Sequence, residues 1–245
     1  MELLSDELIH KYCLTEPIVL DAVETAISST LTKAYRSPVT CRIQEGKLNV
    51  TALMGLYDPM TIEVGSITKK LRRAISYNVE LELQKRQAIN EYHSMRELQG
   101  QVITGTISRI ANNNVLFVML EIDDFVNRVI LLGECPLTYQ PPHERSLYRI
   151  GDTKRFLVTS VRPIAGRAFA RVRIVLNRTS RDLPARLLYQ LTGVAGIKCQ
   201  RRIAGGYSEI VTPQRIPKSA INTVGKELRE HVQVVIKKQT NSIKK

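Results

Sequence analysis

The sequence has no tryptophan, and aromatic residues fill only 5% of its 245 positions. Neither a tryptophan-anchored core nor an interfacial aromatic belt is therefore open to it. No apolar run approaches the roughly 18–20 residues that span a bilayer, and the first residues carry acids where a secretory signal would be basic. Neither a membrane span nor a signal is expected, which predicts an intracellular protein. Cysteine is sparse: Cys13, Cys41, Cys135 and Cys199 form no C-x-x-C and lie near no histidine pair. That spacing argues against a tetrahedral zinc site, and a disulfide framework would not suit a reducing compartment. Four free thiols that fill space are expected instead.

Catalytic signatures are missing too. His10, His93, His143 and His231 are scattered, and Asp123-Asp124 has no histidine or second acid pair beside it. The phosphate-cradling G-x-x-x-x-G-K-S/T, the nucleophile elbow G-x-S-x-G and the dinucleotide fingerprint G-x-G-x-x-G are all absent. Gly205-Gly206 is too short to cradle phosphates and reads as a turn. The expectation is a non-enzymatic protein with no metal and no cofactor; a nuclease whose residues are dispersed over the fold is the enzyme alternative.

What the chain does have is positive charge, unevenly placed. Lys and Arg number 36 against 23 Asp and Glu, a net charge of +13. Residues 1–99 hold 12 basic and 13 acidic side chains, a net of −1, whereas residues 100–245 hold 24 and 10, a net of +14. Concentrated positive charge attracts polyanions and speeds their encounter, so nucleic acid is the first partner to consider for the C-terminal part. The neutral first part suits a protein partner better.

The hydrophobic pattern predicts a multidomain protein of α+β and all-β parts. A short helix is expected over Leu3–Tyr12, capped by Ser5. A second, with Thr15 as N-cap and Pro17 in its first turn, carries Ile18, Ala22, Val23, Ala26, Ile27, Leu31 and Ala34 at helical spacing. Val39, Cys41 and Ile43, then Leu48, Val50 and Ala52, alternate around Glu45-Gly46 as a hairpin, and Asp58-Pro59 breaks the chain after it. Lys69–Leu98 reads as a charged helix with an i,i+4 pair, Glu82 and Arg86, of the kind that usually serves as a solvated connector between domains. From Gly100 the pattern becomes all-β, with strands expected at 101–107, 115–120, 126–132, 155–161 and 168–176. Five short strands with a long Pro-rich connection after the third predict a Greek-key barrel of the OB type. Beyond Thr179 a helix (183–191), strands at 197–202 and 208–211, a helix opened by Pro217 and a strand (232–236) make a small α+β unit, followed by a Lys-rich tail expected to be disordered.

Within the last barrel strand, Phe169, Arg171 and Arg173 share one parity, and Val172, Ile174 and Leu176 share the other. With the apolar set facing the barrel core, the ring and guanidiniums project outward, as single-stranded RNA binding requires. Arg162, Arg167 and Arg178 add charge nearby. The alternative is a solvated basic strand whose Phe packs on another domain.

Glu91-Tyr92-His93 running into Gly100–Ile107, the turn Ile150-Gly151-Asp152, the segment Ser160-Val161-Arg162-Pro163 and the joint Asn177-Arg178-Thr179 followed by Leu183, Leu187 and Leu188 together resemble the bacterial transcription elongation and termination factor family NusA. Asp21–Ile27 is similar to the helix that opens that family's polymerase-binding domain. The resemblance implies a NusA-like polymerase-binding head over residues 1–98, with its long connecting helix, an S1 (OB-fold) RNA-binding domain over 99–179, a degenerate KH-like domain over 180–237 and a disordered basic tail over 238–245. The chain departs from the family where a KH domain grips the nucleic-acid backbone: the first KH helix and its G-x-x-G loop are missing, and there is no room for a second KH domain. Lys198, Arg201, Arg202 and Lys218 are then at best non-specific phosphate contacts.

The resemblance further implies that the head docks on a bacterial-type RNA polymerase while the basic part contacts nascent single-stranded RNA, modulating pausing, termination or antitermination. Other elongation factors are possible partners, and the compartment would be the bacterial cytoplasm or an organellar matrix or stroma. The alternative is a ribosome- or RNA-decay-associated S1-domain RNA-binding protein.

Overall fold

The computed structural model describes residues 2–44, 47–53, 59–122, 131–166 and 168–237. The turn expected at Glu45-Gly46, Asp58, the Asp123-Asp124 pair, residues 126–130 of the third expected barrel strand, Arg167 and the basic tail 238–245 lie outside the described residues. The remainder is mixed α+β, with five α-helices and eleven strands among the described residues. These strands form two three-stranded sheets and one closed five-stranded barrel. None of the described helices is long and apolar enough to cross a membrane. Two compact units divide the chain, one comprising Met1–Ser94 with Arg162–Val172 and the other Met95–Val161 with Arg173–Lys245.

In the first unit, α1 (Glu2–Tyr12) precedes α2 (Glu16–Tyr35), β1 (Val39–Gln44), β2 (Lys47–Leu53), β3 (Pro59–Thr61) and α3 (Lys69–Met95). Helix α1 begins at Glu2, which places Ser5 within its first turn and not at its cap. Thr15 does cap α2, but through its carbonyl, which accepts from the Ile18 and Val19 amides; its side chain makes no capping bond. The hairpin pairs Val39 with Ala52 and Cys41 with Val50, and β3 extends the sheet in the order β1-β2-β3.

Strand β1 is a sheet edge, and α2 closes it. The Val39, Cys41 and Ile43 amides donate to Thr32 Oγ1 (3.0 Å), Ser28 Oγ (2.9 Å) and Glu24 Oε1 (2.7 Å). Period two along the strand meets period four along the helix, so one row of polar side chains satisfies every outward amide of β1 over this stretch.

Helix α3 is more than a solvated connector. Leu71, Ile75, Val79 and Leu83 recur every fourth residue and pack into the head, with Leu83 fully buried beside Tyr12, Leu14, Val19 and Ala22. Asn78 Nδ2 donates to the buried Thr30 Oγ1 at 2.8 Å, Arg86 pairs with Asp21 at 2.7 Å, and the expected Arg86–Glu82 pair is present at 3.5 Å. A stripe one residue wide is enough to bury a helix whose other faces are charged.

The second unit contains the barrel: β4 (Val102–Ile110), β5 (Leu116–Leu120), β6 (Leu132–Cys135), β7 (Thr153–Ala165) and β8 (Ala170–Asn177), closed in the order β4-β5-β6-β8-β7. The far ends of β7 and β8, with the turn between them, belong to the first unit. Five strands and a long link after the third are as expected, but the third described strand starts at Leu132, where the expected one ended. Its Gly133 pairs with Val118 on one side and, in parallel, with Ile174 on the other. At the turn before β7 the Gly151 amide donates to the Ile107 carbonyl and the Ile107 amide to the Asp152 carbonyl.

Next come α4 (Leu183–Thr192), β9 (Lys198–Ile203), β10 (Tyr207–Thr212), α5 (Lys218–Leu228) and β11 (His231–Ile236), with the sheet order β11-β10-β9 and β10 parallel to β11. Each was anticipated within a residue or two. Leu183, Leu187, Leu188, Ile210, Val224 and Leu228 share one core with Val102 and Leu157 of the barrel, so residues 180–237 do not bury their apolar face alone.

Arg178 locks this arrangement. It is fully buried and donates through Nε and Nη2 to the two carboxylate oxygens of Glu144, each at 2.7 Å. Its Nη1 reaches Glu227 Oε1 on α5 at 3.0 Å and the Arg155 carbonyl on β7 at 2.8 Å. Burial alone would push the Glu144 carboxyl up, but hydrogen bonding and charge from Arg178, with a hydrogen bond from the Tyr148 hydroxyl, hold it below its ordinary value. A second buried pair joins Arg202 on β9 to Glu230, at 2.7 Å; Glu230 also accepts from Ser208 Oγ and the Gly205 amide, and Arg202 donates to the Ser180 carbonyl. Gly205 has φ +85°, and a Cβ there would fall 1.9 Å from His143 Nδ1, so the β9–β10 turn fits against the barrel loop only as glycine.

Replacing Arg178 with Met should destabilise the protein by about 3–5 kcal/mol, because it leaves a buried carboxylate without its counter-charge; denaturant melts read this directly. Glu144 is depressed in the folded state, so its stabilisation is complete above the unfolded carboxyl value of about 4.3 and is lost as pH falls through the lower folded value. The stability difference between wild type and Glu144→Gln should thus be largest near neutrality and shrink below about pH 4. A difference constant from pH 7 to 3 would refute the assignment.

Candidate nucleic-acid interface

Of the expected RNA-contacting residues, the structure keeps some at the surface and withdraws others. In the first unit, at the tip of the β7–β8 hairpin, Phe169 is 48% exposed. Arg162 and Arg171 are exposed as well, and the Arg171 guanidinium carbon lies 5.8 Å from the Phe169 ring centre. The tip is closed by the Gly166 amide donating to the Phe169 carbonyl at 2.7 Å. The Ala170 amide, one residue on, donates to Gln84 Oε1 of α3 at 3.4 Å. Phe169 and Arg171 are thus both exposed although the strand carrying them leans on α3.

The shared parity of Phe169, Arg171 and Arg173 does not extend to a shared environment. Arg173 is half-buried, its Nε 2.8 Å from Glu134 Oε2 on β6. Further along β8, Ile174 to Arg178 are all buried, so only the start of the strand is open. Arg178 and Arg202 correct the expectation outright. Both guanidiniums are buried against carboxylates, 0% and 1% exposed, and neither is accessible to a phosphate. Alternation along a strand gives the face of a residue but not what packs on that face; Arg178 has the parity of the buried Ile174 and Leu176, and that was the signal for its withdrawal.

The second unit brings together a surface that the strand parity of β8 did not reveal. On the outer face of the barrel, Arg109 of β4 lies over the Phe117 ring of β5, guanidinium carbon to ring centre 4.1 Å. A β-bulge between Ile107 and Arg109 sets Arg109 opposite Phe117. Beside it the exposed Met119 and Leu132 face each other across β5 and β6. The row Arg109–Phe117–Glu134–Arg173 crosses four barrel strands, alternating cation, ring, acid and cation. The sequence signal for this was the bulge at Ser108, invisible to a strict period of two.

In the α+β segment Lys198, Arg201 and Lys218 are exposed, as expected. Arg201 lies 5.7 Å from the Tyr207 ring centre across β9 and β10. Three surface arginines are thus each paired with a ring: Arg171–Phe169, Arg109–Phe117 and Arg201–Tyr207. Such a pair presents a flat, cationic surface that can stack on a nucleobase and meet a phosphate beside it.

Among the described residues no group of three or more His, Cys, Asp or Glu side chains could hold a metal ion. All four cysteines are free. Burial pushes the Cys41 thiol up to about 11, helped by Glu24, and the Cys135 thiol up to about 12. Thiols held neutral in this way are poor nucleophiles. No protein-family model matches the chain, and no curated protein sequence matches it.

Reversing one surface charge at a time should separate the binding arginines from the structural ones. Arg109→Glu and Arg171→Glu should each weaken single-stranded RNA binding and lower the slope of log affinity against log salt by about 0.7 per lost phosphate contact. Unchanged affinity in both would exclude these two arginine–aromatic pairs as contacts.

Proposed function

We propose that the protein is a non-enzymatic RNA-binding transcription factor of the NusA type, which docks on a bacterial-type RNA polymerase and modulates pausing, termination or antitermination through contacts with nascent RNA. The observation that carries this proposal is the set of three surface arginine–aromatic pairs within the chain segment that holds a net charge of +14. A closed barrel with the strand order β4-β5-β6-β8-β7 supports assigning it as an S1-type OB fold, whose nucleic-acid face runs across the middle strands. Arg109, Phe117, Met119 and Leu132 stand on that face.

The residues after the barrel support a KH remnant only in element order, α-β-β-α-β, with no second helix between β10 and α5. The neutral head supports a protein contact. It exposes Leu53, Met60 and Val64 at and beyond the open side of its sheet, while α2 closes the β1 edge against strand addition. Tethering to a polymerase would raise the local RNA concentration, so a few stacking and phosphate contacts of modest affinity would suffice.

Affinity purification of the full-length tagged chain from native extract, with and without RNase, tests the proposal. Polymerase subunits are expected to remain bound after RNase treatment. Recovery of ribosomal or RNA-decay proteins in place of polymerase would favour the S1-domain alternative, and loss of every partner on RNase treatment would refute direct docking.

A further inference from the structure

Helix α4 buries one side and leaves the other over a groove. Leu183, Leu187 and Leu188 enter the core. Arg186 and Tyr189, one turn apart, line a groove of about 650 Å³ together with Arg181, Lys198, Ile197 and Val211. Lys198 and Val211 pair across β9 and β10, so the far wall is the sheet itself. The groove lies wholly within the second unit and shares none of its lining residues with the barrel row or with the Arg201–Tyr207 pair.

Its chemistry is specific in three respects. Three cations face one acid, Asp182, whose Oδ1 is 4.0 Å from Arg181 Nε at a largely exposed site where the pairing is weak. Arg186 and Lys198 are exposed, and among the described residues neither has an ion pair. Tyr189 is 49% exposed, a large ring left at the rim, while Ile197 and Val211 make the interior partly apolar. A flat ring, an apolar floor and uncompensated cations within one groove fit a ligand with an aromatic heterocycle at one end and a phosphate at the other.

We propose that this groove binds a nucleotide unit, its base stacked on Tyr189 and its phosphate held by Arg186 and Lys198. The choice of ligand rests on the RNA-binding proposal above and deepens it; the unit can come from a single-stranded RNA or from a free nucleotide, which share this chemistry. Tyr189 supplies the stacking surface, and the cations on the helix and on the strand fix the phosphate from two sides.

The test uses the full chain and three ligands: a fluorescent pentauridylate, ATP and inorganic pyrophosphate. Tyr189→Ala should weaken the oligonucleotide or ATP about tenfold, the loss of one base stack, and Tyr189→Phe should restore it, since stacking needs the ring and not the hydroxyl. Arg186→Glu and Lys198→Glu should each cost about as much and flatten the salt dependence. All these side chains are exposed, so melting temperatures should hold. An effect confined to pentauridylate identifies a strand as the source, one confined to ATP a free nucleotide, and either supports the groove. If Tyr189→Ala is silent for both and only pyrophosphate responds to the charge reversals, the groove is a plain anion site and the proposal fails. If the groove variants change nothing while Arg109→Glu still weakens pentauridylate, the groove fails and RNA binding stands. Wild-type protein that binds neither pentauridylate nor ATP would overturn both.

Discussion

A guanidinium sealed between two carboxylates, Arg178 with Glu144 and Glu227, holds the barrel against the α+β segment that follows it. Because the arginine immediately follows β8, its position is fixed by the barrel strand, while Glu144 belongs to the long loop after β6 and Glu227 to α5. Three distant parts of the chain must be in place before any of these charges is compensated. Taking an ion out of water costs several kcal/mol unless geometry returns it, and here the return is a two-pronged hydrogen-bonded pair plus two backbone carbonyls. The pair therefore selects one arrangement more than it adds stability. The Arg202–Glu230 pair does the same for the β9–β10 turn and the start of β11, where Glu230 gathers Ser208 and the Gly205 amide as well.

With two arginines committed to the interior and Arg173 engaged by Glu134, positive charge is distributed over the surface in a particular way. Three surface arginines lie beside rings: Arg171 by Phe169, Arg109 by Phe117 and Arg201 by Tyr207. Of these rings Phe169 is exposed and Phe117 and Tyr207 are half-buried, in a protein with only 4 Phe and 9 Tyr.

The head follows another logic. Its sheet edge is closed by Glu24, Ser28 and Thr32 of α2, and the stripe Leu71–Leu83 of α3 completes its core. What it leaves open combines the exposed Leu53, Met60 and Val64 with basic and acidic side chains that nearly cancel.

Period and punctuation made most of the elements legible in sequence: the hairpin from alternating Val39, Cys41 and Ile43, the helix opened by Thr15-Glu16-Pro17, the strands flanking Gly205-Gly206 and the helix after Pro217. These signals are local, and local backbone preference decided them. The charge asymmetry was likewise written in the composition. Three things were not legible, each because it depends on residues far apart in the chain. Leu71, Ile75, Val79 and Leu83 have helical spacing in the sequence, but the surface that buries them is supplied by distant parts of the head. Arg109 stacks on Phe117 only because a bulge turns it to the outer face. Arg178 continues the core-facing parity of Val172, Ile174 and Leu176, but that a guanidinium can stay there depends on Glu144 and Glu227 converging on it. The sequence by itself determined most of the helices and strands, though not β3 or the bounds of β6, and where the positive charge is concentrated. Tertiary structure alone decided which of those charges meet water, because burial depends on what the rest of the chain lays over a residue, and no local pattern records that.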